Sequence, residues 1–131
     1  AAARIDVIAG HTHDEIAAFP GGGTDPQSQA LGDQIYGAFT RQWAADATAR
    51  GRQAWCYRFD HRPNPTFGAC DFIELPFVFG TQAAFADAPM LHGLQAPEAR
   101  RLTDELQSHW LAFVRDGHPG WAPWPQQRIF S

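Results

Sequence analysis

Two short apolar segments separated by one long amphipathic segment constrain the fold of this chain most. Residues 5–9 alternate β-branched residues with small or polar ones, which predicts a buried strand that ends in a turn at Gly10. Residues 53–59 are rich in aromatic residues and predict a second strand. Between them lies the apolar stripe of an amphipathic helix that ends at Gly51; it consists of Leu31, Ile35, Phe39 and Trp43. The order strand, helix, strand predicts an α/β fold with a parallel sheet and crossover helices, which two strands cannot complete alone.

The rest of the chain predicts one further helix and two irregular segments. Residues 20–26 are rich in Gly and Pro and form a break between the first strand and the first helix. Pro97 suits the first turn of a final helix that runs to Gly117. The irregular segment after it contains Trp121 and Trp124, which are costly to leave in water.

The composition predicts a single folded domain, residues 1–131. A hydrophobic content of 44% is ample for a packed core. A formal charge of -4 without clustered basic residues argues against nucleic acid as a partner. No stretch approaches the ~20 apolar residues of a membrane-spanning helix, so no membrane partner is predicted. The predicted compartment is the cytoplasm, with secretion as the alternative.

The cysteines and histidines predict neither a disulfide framework nor a metal site. Cys56 and Cys70 are predicted to be buried free thiols. His11 and His13 are predicted to be exposed loop residues, because two histidines at this spacing without further ligands are weak evidence for zinc. Core packing is sufficient to explain four aromatic residues between positions 72 and 85, although one of them, Phe72, also suits the wall of an acyl or alcohol pocket; the four are Phe72, Phe77, Phe79 and Phe85.

Residues 68–80 form the most specific motif of the chain. They read Gly-Ala-Cys-Asp-Phe-Ile-Glu-Leu-Pro-Phe-Val-Phe-Gly. This run resembles the segment of type B carboxylesterases, the family of bacterial para-nitrobenzyl esterases and cholinesterases, that carries the histidine of the catalytic triad. The family histidine stands five residues before the Pro-Phe-Val-Phe run, and that position is Asp71 here. The resemblance implies the C-terminal part of an α/β-hydrolase fold, incomplete on its own.

A second motif, residues 10–15 followed by Phe19, resembles the family segment Gly-x-x-x-Asp-Glu-Gly-x-x-Phe. The match implies that Glu15 is the triad acid, whose carboxylate orients the histidine and stabilises the imidazolium. Residues 55–60 and 109–119 also resemble family segments, in the family's order. Because such esterases are several times longer, the resemblance covers only the last part of one.

The nucleophile that the resemblance implies is absent from this sequence. Serine esterases of this fold carry it on a Gly-x-Ser-x-Gly elbow ahead of the acid, and none of Ser28, Ser108 and Ser131 lies in such an elbow. The implied partner is therefore an N-terminal part of the hydrolase that carries the serine. The implied substrate is a small carboxylic ester, hydrolysed through an acyl-enzyme without cofactor or metal. The chain alone is not expected to be catalytic.

Asp71 has three interpretations. It is a solvated residue at a site that has lost triad chemistry, or it is a general base, although a carboxylate with a usual pKa of ~3.9 that faces Glu15 is poorly suited to that task. In the third, a histidine from elsewhere reaches the site, such as His61 or His92. For the function, the alternatives are a non-catalytic esterase-like binding protein and an independently folded oligomeric fragment. An unpaired sheet edge and exposed helix faces would drive such a fragment to associate.

Overall fold

A three-stranded parallel sheet organises the computed structural model, which describes residues 5–131. Residues 1–4, which the one-domain prediction included, lie outside the described residues. The strands are β1 (Val7–Thr12), β2 (Ala54–Phe59) and β3 (Gln127–Phe130), in the spatial order β1-β2-β3. In their registers Val7 aligns with Ala54 and Cys56 aligns with Gln127. The parallel sheet and its crossover helices confirm the predicted α/β class.

Helices pack on both faces of the sheet. Between β1 and β2 runs one helical segment made of α1 (Pro26–Gly32), a π-helical turn (Asp33–Gly37) and α2 (Ala38–Ala49). After β2 come α3 (Leu75–Phe79) and α4 (Ala96–Asp116), with short 3₁₀ turns between them at Gln82–Phe85 and Pro89–Leu91. Among residues 5–131, no helix is long and apolar enough to cross a membrane.

Local sequence explains where the long helices begin and end. The first helical segment starts at Pro26, five residues earlier than its apolar stripe, because the Asp25 carboxylate accepts hydrogen bonds of 3.0 Å from the amides of Gln27 and Ser28. The predicted final helix is confirmed as α4. It ends at Gly117, which has a φ of 71°, a left-handed conformation that favours glycine.

The core has two unequal layers. The larger lies between the sheet and α3 and α4, and its fully buried side chains include Phe59, Phe77, Leu102, Leu106 and Phe130. The smaller lies between the sheet and α2, and consists of Val7, Ala44, Ala54 and Cys56. Cys56 and Cys70 are buried free thiols, as predicted.

The apolar stripe of the first helical segment lies away from the sheet. An amphipathic helix ordinarily buries such a stripe. Here the small residues Gly37, Thr40 and Ala44 are buried, while the large ones are exposed: Leu31 by 47%, Ile35 by 41%, Phe39 by 73% and Trp43 by 51%. The helix therefore packs on the sheet through its small residues and presents its large apolar residues outward.

Two details predicted from the sequence are wrong, and one strand was not predicted. β1 passes through Gly10 and continues to Thr12, because this glycine serves close packing: a Cβ there would overlap the Tyr57 ring. β3 was not predicted, since it is short, follows a Pro-rich segment and buries only Phe130. Of the four aromatic residues assigned to the core, only Phe77 is buried; Phe72, Phe79 and Phe85 are exposed.

Candidate active site at the carboxyl ends of the strands

The loops that carry Glu15 and Asp71 follow neighbouring parallel strands. Glu15 comes three residues after β1, and Asp71 lies in the segment between β2 and α3. The carboxyl ends of parallel strands meet at one edge of a sheet, which is where open α/β folds place their sites. The fold thus brings both predicted site residues to the edge where a site is expected.

Glu15 is a buried carboxylate that is anchored through one oxygen. It is 5% exposed, and its Oε1 accepts a 2.7 Å hydrogen bond from the backbone amide of Thr12. Its Oε2 is buried and has no hydrogen-bond partner within residues 5–131. Burial raises the pKa of Glu15 to about 7, and the charges of Asp71 and Glu74 add to the effect. The Glu15 carboxyl is therefore partly protonated near neutral pH.

Asp71 is half-buried at the surface of the molecule. Burial raises the pKa of its carboxyl above the ordinary value. The next residue, Phe72, has a left-handed φ of 66°, uncommon for a residue with a side chain, and its ring is 62% exposed. Phe72 therefore forms no wall of an enclosed pocket within the described part of the chain.

Glu74 is a third carboxylate of the site, one that sequence reasoning did not select. It is 9% exposed, and its Oε1 accepts a hydrogen bond of 3.2 Å from the hydroxyl of Tyr57. Burial raises the pKa of Glu74, and the Asp71 charge contributes. Its position three residues after Asp71, inside the family-like motif, was the signal available in the sequence.

Asp14, beside Glu15, joins the two loops of the site. Its Oδ2 accepts a 2.9 Å hydrogen bond from the Ala69 amide, and its own amide donates to the Ala69 carbonyl, also at 2.9 Å. Its Oδ1 accepts from Arg62 at 2.7 Å and from Gln29 at 2.9 Å. Gly68 leaves room for this carboxylate, because a Cβ there would overlap it. Asp14 thereby holds the Glu15 loop against the segment that leads to Asp71.

The histidines lie elsewhere. His11, expected in an exposed loop, is buried in β1, and burial lowers its pKa to about 4. His61 Nε2 lies 3.6 Å from Glu98 Oε1, and His92 is exposed. No hydrogen bond or ion pair in the described part of the chain joins the side chain of His61 or His92 to Glu15 or Asp71. Within residues 5–131, no group of three or more His, Cys, Asp or Glu side chains is placed to hold a metal ion.

The serines are also remote from a nucleophile elbow. Ser28 lies in α1, where its hydroxyl donates to Asp25 at 2.7 Å, and Ser108 lies in α4. Ser131 follows β3. The described residues therefore bring together an acid, the Asp71 position and a third carboxylate without a serine among them.

Three bacterial proteins are similar to this chain in sequence. A probable N-octanoylanthranilate hydrolase of Rhodococcus erythropolis is 32% identical over 97% of this chain and 32% of its own length. The phenmedipham hydrolase of Pseudarthrobacter oxydans is 30% identical over 83% of the chain and 23% of its own length. The para-nitrobenzyl esterase of Bacillus subtilis is 36% identical over 62% of the chain and 17% of its own length. The chain therefore spans about a third or less of these relatives, and no protein-family model matches it.

Solved structures agree on the fold. A PNB esterase superposes with a TM-score of 0.67 at 22% identity, covering 82% of this chain and 24% of the esterase. A carboxylesterase of Geobacillus stearothermophilus superposes with a TM-score of 0.62 at 24% identity, covering 97% of this chain and 33% of the enzyme. The fold is that of the corresponding part of an α/β-hydrolase.

Proposed function

The chain belongs to the type B carboxylesterase family, and from this premise we propose that it is the C-terminal part of a serine carboxylic-ester hydrolase in which Asp71 replaces the triad histidine. It contributes the triad acid Glu15. Its partner is the N-terminal part of the hydrolase, which carries the serine nucleophile. The substrate is a small carboxylic ester, and the reaction uses no cofactor or metal ion.

The arrangement of the Glu15 carboxylate carries this proposal. A triad acid needs one oxygen fixed by the protein and the other left to accept a hydrogen bond from the base. Glu15 has this arrangement, since the Thr12 amide anchors Oε1 and Oε2 has no partner within residues 5–131. The segment that carries the base in the family runs beside it, tied by Asp14.

Asp71 determines how much chemistry the site performs. In ester hydrolysis the serine attacks the carbonyl carbon while the base takes the serine proton and passes it to the alcohol, which leaves as the ester C–O bond breaks. Water, activated by the same base, then cleaves the acyl-enzyme, and the acid product leaves. An imidazole accepts that proton at one nitrogen while it donates to the acid through the other. An ionised carboxylate at position 71 has no proton to donate to Glu15, and the two negative charges repel each other. The proposed hydrolase therefore lacks an effective base.

The test restores the base in the complete hydrolase. Because a general base contributes roughly 100- to 10,000-fold, we expect Asp71→His to raise kcat/KM for a p-nitrophenyl acyl ester at least ~100-fold. Asp87→His, a change at an exposed aspartate in the 3₁₀ region, is the matched control and should leave the rate unchanged. Ordinary esterase turnover, about 1 s⁻¹ or faster, in the unmodified protein would contradict the proposal.

A non-catalytic binding protein is the second candidate. The observation that favours it is that position 71 is a carboxylate, not an imidazole. The pKa of Asp71 is raised, and so are the pKa values of the other two carboxyls of the site, Glu15 and Glu74. A protein of this kind binds an ester without cleaving it. Two measurements on the complete protein distinguish the candidates: binding of the ester, and turnover after Asp71→His. Saturable binding without turnover in the variant favours the binding protein.

A further inference from the structure

A small polar cavity lies between the sheet and the first helical segment. His11 in β1 and Arg58 in β2 are register partners, so their side chains leave the sheet on the same face. Tyr57, whose hydroxyl bonds the third carboxylate of the candidate active site, precedes Arg58 and points to the other face. The cavity has a volume of about 210 Å³, and the side chains that line it include His11, Gln29, Asp33 and Arg58. We name it the His11 pocket.

The imidazole of His11 is buried without a hydrogen bond. The residue is 4% exposed, and neither Nδ1 nor Nε2 has a hydrogen-bond partner within residues 5–131. The Asp33 carboxylate approaches one of the two nitrogens, with its Oδ1 3.5 Å from Nε2. Buried polar side chains are nearly always paired with protein or with water, because an unpaired one has lost its bonds to solvent without replacement. The unpaired ring therefore indicates an occupant of the pocket that it lines.

The charges that face His11 balance one another. Arg58 donates to Asp60 through Nε and Nη2, both at 2.7 Å, and Arg41 donates to Asp33 through two bonds of 2.8 Å. Arg58 Nη1 forms no hydrogen bond to any other described residue. Burial lowers the pKa of His11 to about 4, so its ring is uncharged near neutral pH. The pocket therefore offers one unused guanidinium donor and one imidazole that can accept a proton.

We infer that the His11 pocket binds a small monocarboxylate, one oxygen of which accepts a hydrogen bond from Arg58 Nη1 and the other from the His11 ring, which takes up a proton as the anion binds. The imidazolium then donates from both nitrogens, to the ligand and to Asp33. The added proton balances the single negative charge of the ligand, so no net charge is buried. The inference goes beyond the proposed function and does not rest on it.

The size and charge of the pocket favour this ligand class over others. A volume of about 210 Å³ is several times the roughly 30 Å³ that a water molecule occupies, which leaves room for a carboxylate with a short apolar chain. A phosphate or sulfate dianion would bring a second negative charge, which Asp33 and Asp60 would repel. A metal ion would lack ligands, since no group of three or more His, Cys, Asp or Glu side chains in the described part of the chain is placed to hold one.

Calorimetric titration of the complete protein with sodium butyrate tests the inference. At pH 6 the free His11 ring is neutral and a free carboxylic acid is ionised, so binding should take up close to one proton per butyrate. The number of protons follows from the change in heat between buffers of different ionisation enthalpy. Because each bound anion carries one extra proton, the affinity should fall about 10-fold from pH 6 to pH 7. Saturable binding without proton uptake would contradict the part assigned to His11.

Two variants separate the donors of the pocket. His11→Phe and Arg58→Gln should each weaken butyrate binding at least ~10-fold, because each removes a hydrogen bond between charged groups. Only His11→Phe should also abolish the proton uptake. His92→Phe, at an exposed histidine outside the pocket, is the matched control and should change neither. If His11→Phe does not fold, Arg58→Gln, at a partly exposed side chain, still tests the contact with the ligand.

Three outcomes would overturn the inference. The first is the absence of saturable butyrate binding. The second is equal affinity in the parent and in both pocket variants, which would assign the butyrate to another site such as the one at Glu15. The third is phosphate binding at least as tight as butyrate binding, which would make the pocket a general anion site. Because no ester is present in the titration, each result is independent of the proposed catalytic function.

Discussion

The Glu15 carboxyl binds protons more tightly in the folded chain than in the unfolded chain. Its pKa is about 7 when folded, against an ordinary value of 4.5. Between these two pH values the unfolded state has released a proton that the folded state retains. The contribution of Glu15 to stability is therefore fully present below about pH 4.5, falls as the pH rises to about 7, and is constant above that.

Glu15→Gln should remove this pH dependence. The amide keeps the size of the side chain and cannot ionise, so the variant should gain stability relative to the parent as the pH rises from about 4.5 to 7. After allowance for solvent screening, we expect a relative gain on the order of 2 kcal/mol. Urea unfolding of both proteins at a series of pH values measures it. A constant difference between the two curves over this range would contradict the burial argument.

Glu15 and Asp71 were predicted as site residues because each stands at a fixed place in a family-like motif; the structure places both after neighbouring strands, and their catalytic roles stay a prediction. The sequence was not sufficient for the parts played by Asp14 and Glu74, which depend on which atoms the fold places around each carboxylate. His11 was misplaced for a related reason. Its strand was expected to end in a turn at Gly10, whereas β1 continues to Thr12 with Gly10 packed against the Tyr57 ring, and His11 is buried within the strand.

At the level of elements, the pattern of the first helix predicts its existence better than its contacts. A four-residue repeat of large apolar side chains indicates that one face of the helix is buried in the working protein. In this chain the sheet accepts the small face, Gly37, Thr40 and Ala44. Burial of a large apolar side chain such as Leu, Ile or Phe stabilises a fold by about 1.5–3 kcal/mol. The exposed stripe does not supply this stabilisation within the described structure. The apolar pattern therefore predicts the helix correctly but not the face through which it packs on the sheet.

The loops after β1 and β2 are expected to depend on Asp14. Asp14→Asn removes the negative charge that faces Arg62. It also replaces one of two acceptor oxygens, Oδ2, which accepts from the Ala69 amide, or Oδ1, which accepts from Gln29 and Arg62, with an amide donor. Because buried hydrogen bonds to a charged group are worth about 1.5–3 kcal/mol each, we expect a loss of about 2–4 kcal/mol in the free energy of unfolding, measured by chemical denaturation.

Asp104→Asn is the matched control for this change. Asp104 is an exposed aspartate on α4, so its loss of charge should alter stability by less than ~0.5 kcal/mol. Equal effects of the two substitutions would mean that Asp14 does not hold the loops together.

For the whole molecule, the fold is complete around its larger core and open at one side. The large core is closed by α3 and α4, whereas the other side presents a strand edge that no strand within residues 5–131 pairs, together with the apolar stripe of α1 and α2. Exposed apolar patches and open edges drive association in water. That the sheet is incomplete on its own stays a prediction.

The chain on its own is therefore expected to associate with itself. Light scattering over about 1 to 100 µM should show an average mass that rises with concentration. Phe39→Glu with Trp43→Glu should shift the mass toward the monomer, and Ala49→Glu should not. A concentration-independent monomer would contradict both the exposed-surface argument and the fragment interpretation.

The contact between Asp14 and Ala69 also bears on how the chain folds. These residues are 55 positions apart, and two hydrogen bonds of 2.9 Å join them. Closing a loop of that length costs entropy before any contact forms, so contacts of this kind form slowly compared with helices. Glu15 cannot meet the Asp71 segment until that closure is complete. A chain in which the helices are formed but this closure is not therefore has Glu15 separated from the Asp71 segment, so the site is assembled only with the closure of this loop.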